Sequence, residues 1–158
     1  MAFDAFVNFG DIKGESTDKD HKDWVQITSY RQSVNRTPLV AATKSGPAFS
    51  EFTITKLLDA ATPKLFEACC KGTHLKEVVI ELVRAGGDPV KYMEVKLADV
   101  VITSVADDAE STGTAQHPSE SIHMTFGAIE WTYTKQKPDG TAAGNVVAKW
   151  NVAQGASA

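Results

Sequence analysis

The chain has 158 residues, with 16 basic and 20 acidic side chains and a formal net charge of −4. An apolar share of 42% and a charged share of 23% are typical of a globular protein and exclude a disordered or fibrous chain. The acidic balance lacks the basic surface that phosphate-driven nucleic-acid binding requires. A single domain of this length buries roughly 70% of its unfolded surface, so we expect one domain, residues 1–158, that needs no disulfide or metal.

Period-two alternation of β-branched and aromatic residues is the dominant pattern, and it predicts strands separated by Gly, Pro and Asp clusters. The predicted strands cover residues 3–9, 24–34, 49–54, 75–85, 90–97, 122–133 and 146–152. Glycines between the fourth and fifth strands predict a hairpin, and Lys-Pro-Asp-Gly at 137–140 predicts a type I turn. The alternation changes phase near Asp99 and Gly127, which predicts a bulge or bend at each position.

One segment, residues 62–72, has a helical pattern. Thr62 is the expected N-cap, and Gly72 supplies the left-handed C-terminal stop. We expect Leu65 and Phe66 to be buried against the sheet, because a helix this short needs tertiary packing. Cys69 and Cys70 are adjacent, a spacing that does not suggest a disulfide framework, and we interpret both as buried thiols.

Residues 35–48 contain two prolines and a glycine without periodicity, which predicts an extended irregular loop with a contact role. Residues 153–158 are small and predict a flexible tail. Together the elements predict a mainly β fold: an antiparallel β-barrel or two-sheet sandwich covered by one α-helix.

The strand predicted at 24–34 changes character along one face. Val25 and Ile27 are apolar, whereas Ser29, Arg31 and Ser33 are polar, so this face passes from the core into water if no bulge intervenes. Arg31 therefore has two readings: a solvated strand end, or a side chain with a role on a wet surface.

Catalytic and metal-binding chemistry have weak support. The four histidines are His21, His74, His117 and His123. None has a partner at zinc-site spacing, and His21 lies in the alternating charges of residues 18–23, which predict a solvated loop. That run lacks the glycine and glutamate of an EF-hand, so calcium is the weaker reading. We predict no enzyme activity, no cofactor and no metal site.

The amino terminus lacks the basic n-region of a signal peptide, and Asp4 interrupts the apolar stretch. Apolar runs are only a few residues long, far short of the ~20 needed to cross a bilayer. We therefore expect no cleaved signal and no membrane insertion.

Several short motifs follow one another in a characteristic order. They are Lys13-Gly14-Glu15-Ser16, Phe52-Thr53-Ile54-Thr55-Lys56, Ala61-Thr62-Pro63-Lys64-Leu65, Ala68-Cys69-Cys70-Lys71-Gly72, Arg84-Ala85-Gly86-Gly87, Pro138-Asp139-Gly140 and Lys149-Trp150-Asn151. This ordered set, over residues 1–152, resembles the haemolysin-coregulated protein family, Hcp, the inner-tube component of bacterial type VI secretion systems.

The resemblance implies a β-barrel subunit of a hexameric ring with a central channel. The rings stack into a tube inside a contractile sheath, below a spike protein, and are exported with small effectors that they carry or chaperone. It implies a cytoplasmic protein before firing and a secreted one afterwards, without a cleaved signal peptide. It also makes Arg31 a candidate channel-lining residue and places candidate ring contacts in the 35–48 loop, at Asn35, Pro38, Leu39 and Pro47.

The leading hypothesis is thus a structural tube subunit that binds copies of itself and effector cargo, without nucleic acid. The alternative is a β-barrel that binds a small ligand in its interior. Large apolar residues along the predicted strands oppose this alternative, because they would fill the centre.

Overall fold

The computed structural model describes residues 3–36, 46–85, 89–114 and 117–157. These residues form eleven strands and one helix. The elements are β1 (Phe3–Asn8), β2 (Val25–Ile27), β3 (Ser29–Arg31), β4 (Val34–Arg36), β5 (Pro47–Phe49), β6 (Phe52–Leu57), α1 (Thr62–Lys71), β7 (His74–Arg84), β8 (Lys91–Asp108), β9 (Ser119–Thr125), β10 (Ala128–Gln136) and β11 (Ala142–Asn151). The prediction of a mainly β, antiparallel fold with one helix is confirmed.

Nine strands form one curled sheet in the order β2-β1-β7-β8-β9-β6-β3, and β10 adds to β8 and pairs with β11. The two ends of this path, β2 and β3, are consecutive in the chain and separated only by Thr28. The Thr28 N–H donates to the Thr55 carbonyl at 2.7 Å. The sheet therefore curls until its ends meet, although within the described residues no ladder pairs β2 with β3.

The prediction of a single strand at residues 24–34 is wrong. It is divided into β2, β3 and β4, which pair with three different partners. The cause is the curl of the sheet: the chain must leave β1 at Thr28 to join β6, so one continuous ladder is impossible.

The core lies inside the curled sheet. Alternate side chains of seven strands point inwards and are almost fully buried. The larger ones include Val7, Phe9, Val25, Phe52, Ile54, Val78, Ile80, Leu97, Ile102, Ile122 and Met124. Close packing of these side chains fills the interior, so an interior ligand site, the alternative function, is not supported.

The sheet forks where β8 changes phase. Leu97 and Val100 are both buried, so the inward face shifts by one residue at Asp99, which has a positive φ of 52°. Before this point β8 pairs with β10, and after it β8 pairs with β9. Gly127 lies at the fork and donates its N–H to the Ala98 carbonyl at 2.9 Å. The predicted phase changes are confirmed, and the strand predicted at 122–133 is two strands.

The predicted hairpin between β7 and β8 is confirmed, with residues 86–88 outside the described part of the chain. The turn at 137–140 is also confirmed, since Gly140 donates its N–H to the Lys137 carbonyl at 2.8 Å. It connects β10 to β11. Residues 153–155 of the predicted tail lie in a turn that begins at Val152, whose N–H donates to the Gly127 carbonyl at 2.8 Å.

Part of the segment predicted as an irregular loop is regular. Asn35 pairs with Ala48 and Arg36 pairs with Pro47, so the two ends form the β4–β5 ribbon. The prediction of irregular structure is wrong for these residues. Pro38 and Leu39 lie outside the described residues.

Helix α1 ends as predicted, because Gly72 has a φ of 62° and its N–H bonds to the carbonyls of residues 68 and 69. Leu65 is buried, but Phe66 is 36% exposed, so its predicted burial is wrong. Successive helical residues point about 100° apart, and the face that packs on the sheet is that of Leu65 and Ala68. Cys70 is exposed and Cys69 half-buried, so the buried-thiol prediction is wrong for Cys70.

We expect adjacent substitutions on this helix to differ sharply. Leu65→Ala should lower the free energy of unfolding by about 2–5 kcal/mol, because it leaves a cavity under the helix. Phe66→Ala should lower it by less than about 1 kcal/mol, because that ring remains partly in water. Urea denaturation of both variants measures the difference, and equal losses would contradict this packing.

Candidate functional surfaces

A fully buried ion pair joins β6 to β9 at one end of the core. Lys56 and Glu120 are directly opposite in the ladder, and both side chains are excluded from solvent. The Lys56 Nζ lies 2.5 Å from Glu120 Oε2 and 2.7 Å from Asp59 Oδ1. It also donates to the Leu57 carbonyl at 3.1 Å. These three acceptors and the Thr62 hydroxyl oxygen, 3.2 Å from Nζ, compensate the lysine for the water that it loses on burial.

Thr62 connects this ion pair to the helix. Its hydroxyl donates to Glu120 Oε2 at 3.0 Å and accepts the Asp59 N–H at 3.1 Å. The predicted N-cap role of Thr62 is wrong: Ala61 is the N-cap residue, and no side chain caps it. The Thr62 hydroxyl instead fixes the first turn of α1 to the end of the barrel.

Opposing interactions act on the pKa of the buried Glu120 carboxyl. Burial raises its pKa, while the Lys56 ammonium and the Thr62 hydroxyl act in the opposite direction. Glu120 Oε1 has no hydrogen-bond partner among the described residues. A buried charge of this kind is costly to leave unpaired. Because the Lys56–Glu120 pair is completely buried, its role is structural and it does not contact a ligand at the surface.

Sequence reasoning missed this cluster, although a signal was present. Lys56 follows Phe52 and Ile54 at period two, and Glu120 precedes Ile122 and Met124 in the same way. Both charged residues are therefore in phase with the core. Two charges of opposite sign in phase with buried positions indicate a paired, buried site.

His21 is buried, so the prediction of a solvated loop is wrong at this residue. Its Nδ1 lies 2.6 Å from Asp18 Oδ1, and its Nε2 lies 2.6 Å from Glu81 Oε2. The ring stacks on Phe6 at 4.3 Å and meets the edge of Trp24 at 4.9 Å. The bond to His21 lowers the pKa of the Asp18 carboxyl. These contacts fasten the long connection between β1 and β2 onto β7.

Within the described part of the chain, no three His, Cys, Asp or Glu side chains are grouped as metal ligands. No helix there has the length and apolar character needed to cross a bilayer.

Arg31 is exposed on a polar sheet face. It is opposite Thr53, which is opposite His123, so the three form one row across β3, β6 and β9. Neighbouring rows on this side carry small hydroxyl side chains. We call this side the hydroxyl face, and its residues are Ser29, Arg31, Thr53, Thr55, Ser104, Ser121, His123 and Thr125.

The hydroxyl face carries little net charge. Its His123 Nδ1 lies 3.3 Å from a carboxylate oxygen of Glu51. The other Glu51 oxygen accepts the Thr103 hydroxyl at 2.8 Å. Arg31 differs from His123 in this respect, because the residue opposite Arg31 in the ladder is the uncharged Thr53.

The β10–β11 hairpin leaves the curled sheet at the fork and exposes both of its faces. Tyr133 and Val146 lie opposite each other and are 50% and 53% exposed. They share the face that carries Trp131 and, deeper in, buried Ile129, so an apolar strip runs from the core outwards as far as Tyr133 and Val146. Val147, on the other face, is 50% exposed. Among described strands β11 pairs only with β10, and its other edge is unpaired except at Asn151, which bridges Ala156.

Two loop residues predicted as ring contacts lie in the β4–β5 ribbon. Asn35 is exposed and Pro47 half-buried. Beside the ribbon is a crevice of about 320 Å³ next to Trp131 and Phe49. The structure thus brings the ribbon close to the hairpin and leaves Arg31 on the hydroxyl face.

Breaking the buried ion pair should give a pH-dependent loss of stability. Lys56→Met should cost about 3–5 kcal/mol at neutral pH, since it leaves Glu120 buried and unpaired. A carboxyl whose pKa is raised in the folded state binds its proton more tightly when folded. Because Lys56 lowers this pKa, its removal raises the pKa of Glu120 further. The loss should therefore be complete above the pKa in the variant and shrink as the pH falls towards 4.5, the ordinary glutamate value.

Urea denaturation between pH 8 and pH 5 measures this loss. Lys64→Met is the matched control, because Lys64 lies on the exposed side of α1. A Lys56→Met loss that stays constant with pH would contradict the role of Glu120.

Comparison with known proteins identifies the family. Residues 6–133 match the family model described as "Type VI secretion system effector, Hcp". Protein hcp1 of Pseudomonas aeruginosa is 29% identical over the full length of both chains. A crystal structure of a type VI secretion system effector from Yersinia pestis is 30% identical, with 94% of this chain and 100% of that chain covered and a TM-score of 0.77.

A solved structure of a type six secretion system protein is similar in fold. It has a TM-score of 0.91 and covers 99% of this chain and 100% of its own, at 24% identity. At that identity the likeness shows the fold alone. The assignment to a family rests on the family model, which matches residues 6–133, and on the Yersinia structure, which is 30% identical. This chain belongs to the Hcp family of type VI secretion system proteins.

Proposed function

We propose that this protein is a tube subunit of a type VI secretion system that forms stackable hexameric rings and has no catalytic role. Family membership supports the secretion-system assignment. The observation that carries the ring is the β10–β11 hairpin, whose apolar strip ends in exposed Tyr133 and Val146 and whose outer edge is unpaired along most of β11 among the described strands.

The hairpin suits contact with a second copy. A core-facing strip that continues to exposed Tyr133 and Val146 would be costly to leave in water, and association buries it. A hairpin that projects from one side meets a different surface on its neighbour, and such head-to-tail contacts close into rings.

Val146 and Val147 give a matched test of the ring interface. They are adjacent, about equally exposed and on opposite faces of β11. We expect wild-type protein to be hexameric by native mass spectrometry and Val146→Ser to shift it towards smaller species. Val147→Ser should leave the hexamer intact.

A hexamer that loses stability only with Val147→Ser would place the interface on the other face of the hairpin. Wild-type monomers at every concentration would refute the ring.

The hydroxyl face suits a channel wall. Short Ser and Thr side chains make most of this surface wet and nearly neutral, and exposed Leu57 lies on the same side at the end of β6. Arg31 adds an exposed positive charge, and six copies in a ring would form a positive belt. We propose that this belt favours acidic effector segments.

Arg31→Glu should leave the hexamer intact and reduce the co-purification of an acidic effector by roughly tenfold, the factor that corresponds to about 1.4 kcal/mol. Arg31→Lys keeps the charge and should retain most of the binding. Loss of the hexamer would make Arg31 an interface residue, and unchanged cargo binding would make it ordinary surface.

The loop at residues 35–48 completes the proposal as a contact between subunits or stacked rings, with Asn35, Pro38, Leu39 and Pro47 among its contact residues. Asn35 and Pro47 are held in the β4–β5 ribbon, which supports a fixed position for these two residues. The proposed partners are other Hcp rings, the sheath, the spike protein and effectors. The proposed route is assembly in the cytoplasm followed by secretion without a cleaved signal.

A further inference from the structure

The β4–β5 ribbon and the β10–β11 hairpin share one aromatic cluster. The ring of Phe49, in β5, stacks against Trp131, in β10, with centroids 6.3 Å apart. The same ring meets the edge of Phe126 at 5.6 Å. The indole Nε1–H of Trp131 donates to Gln32 Oε1, directly before the ribbon, at 3.0 Å. Ring packing and one directed bond therefore hold the ribbon to the hairpin.

Trp131 belongs to both surfaces. It is two residues from Tyr133 on the same face of β10, and it packs on the ribbon through Phe49. A neighbouring subunit seated on Tyr133 and Val146 would cover this strip and restrict the Trp131 ring. Restriction of Trp131 reduces the freedom of its partners, Gln32 and Phe49, because an aromatic contact and an indole hydrogen bond both require a fixed ring.

The β4–β5 ribbon is closed at its base, where the Ser50 N–H donates to the Ser33 carbonyl at 3.0 Å. It is a sheet of only two strands of three residues each, a size that is marginally stable alone. Val34 in the ribbon is 49% exposed. The contacts with Trp131 therefore have a large effect on the stability of the ribbon.

We propose that Trp131 and Gln32 are positioning residues that couple ring formation to the order of the β4–β5 ribbon. The partner is a second copy of this chain, seated on the Tyr133–Val146 strip. Its binding stabilises the ribbon through the Trp131–Gln32 hydrogen bond and the Phe49 stack. This inference rests on the proposed ring. It makes the ribbon most ordered in assembled rings.

Hydrogen–deuterium exchange measured by mass spectrometry tests the coupling. The amides of residues 33–36 and 48–50 should exchange more slowly in the wild-type hexamer than in subunits dissociated by dilution. Gln32→Leu removes the acceptor for the indole N–H, and it should speed exchange of these amides in the hexamer by roughly fivefold, the factor for one hydrogen bond. Gln32→Glu keeps an acceptor and should retain slow exchange.

The remaining readouts separate coupling from general damage. The Gln32→Leu protein should remain hexameric by native mass spectrometry, with unchanged exchange in β7 and β9. Equal ribbon exchange in the hexamer and in dissociated subunits would overturn the coupling and leave the ring intact. Slow exchange retained in Gln32→Leu would also overturn it. A wild-type protein that forms no ring would overturn the proposed function together with this inference.

Discussion

The fork in the sheet at Asp99 and Gly127 is the constraint on which the rest of the structure depends. By changing the inward face of β8 at this point, it allows one strand to pair with β10 along its first half and with β9 along its second. The β9 branch curls to enclose the core. The β10 branch leaves the curled sheet and carries an apolar strip outwards, so one strand builds both the curled sheet around the core and an outward apolar surface.

The buried pair of Lys56 and Glu120 holds the curled sheet together away from the fork. It joins β6 to β9 inside the curl, and Thr62 extends the network to the first turn of α1. Replacing both charges by apolar residues could preserve stability, but an ion pair with several fixed hydrogen bonds also defines register and helix position. Consequently the helix covers the barrel end without taking part in the hairpin or the hydroxyl face.

Much of the fold could be predicted from period-two alternation, because the alternation reports which side of a strand is buried. It located most strands and both phase changes, and glycine chemistry located the end of α1. It could not show that residues 24–34 divide between three partners, since strand pairing depends on distant parts of the chain. Phe66 was misplaced because a ten-residue helix offers too few turns to define its buried face.

The candidate surfaces were harder to predict. Arg31 could be assigned to a polar face, but its row with Thr53 and His123 depends on pairing between three strands. His21 and its two carboxylate partners are 3 and 60 residues apart in the chain, so only folding brings them together. The Lys56–Glu120 pair had a visible signal in its phase, which is informative when a charge occupies a buried position.

Electron cryo-microscopy of the purified protein tests the central claim most directly. The account predicts six-subunit rings in which the β10–β11 hairpin lies between neighbours and the hydroxyl face, with Arg31, lines the channel. A map in which both faces of the hairpin remain in solvent, or in which the hydroxyl face points away from the channel, would contradict the account.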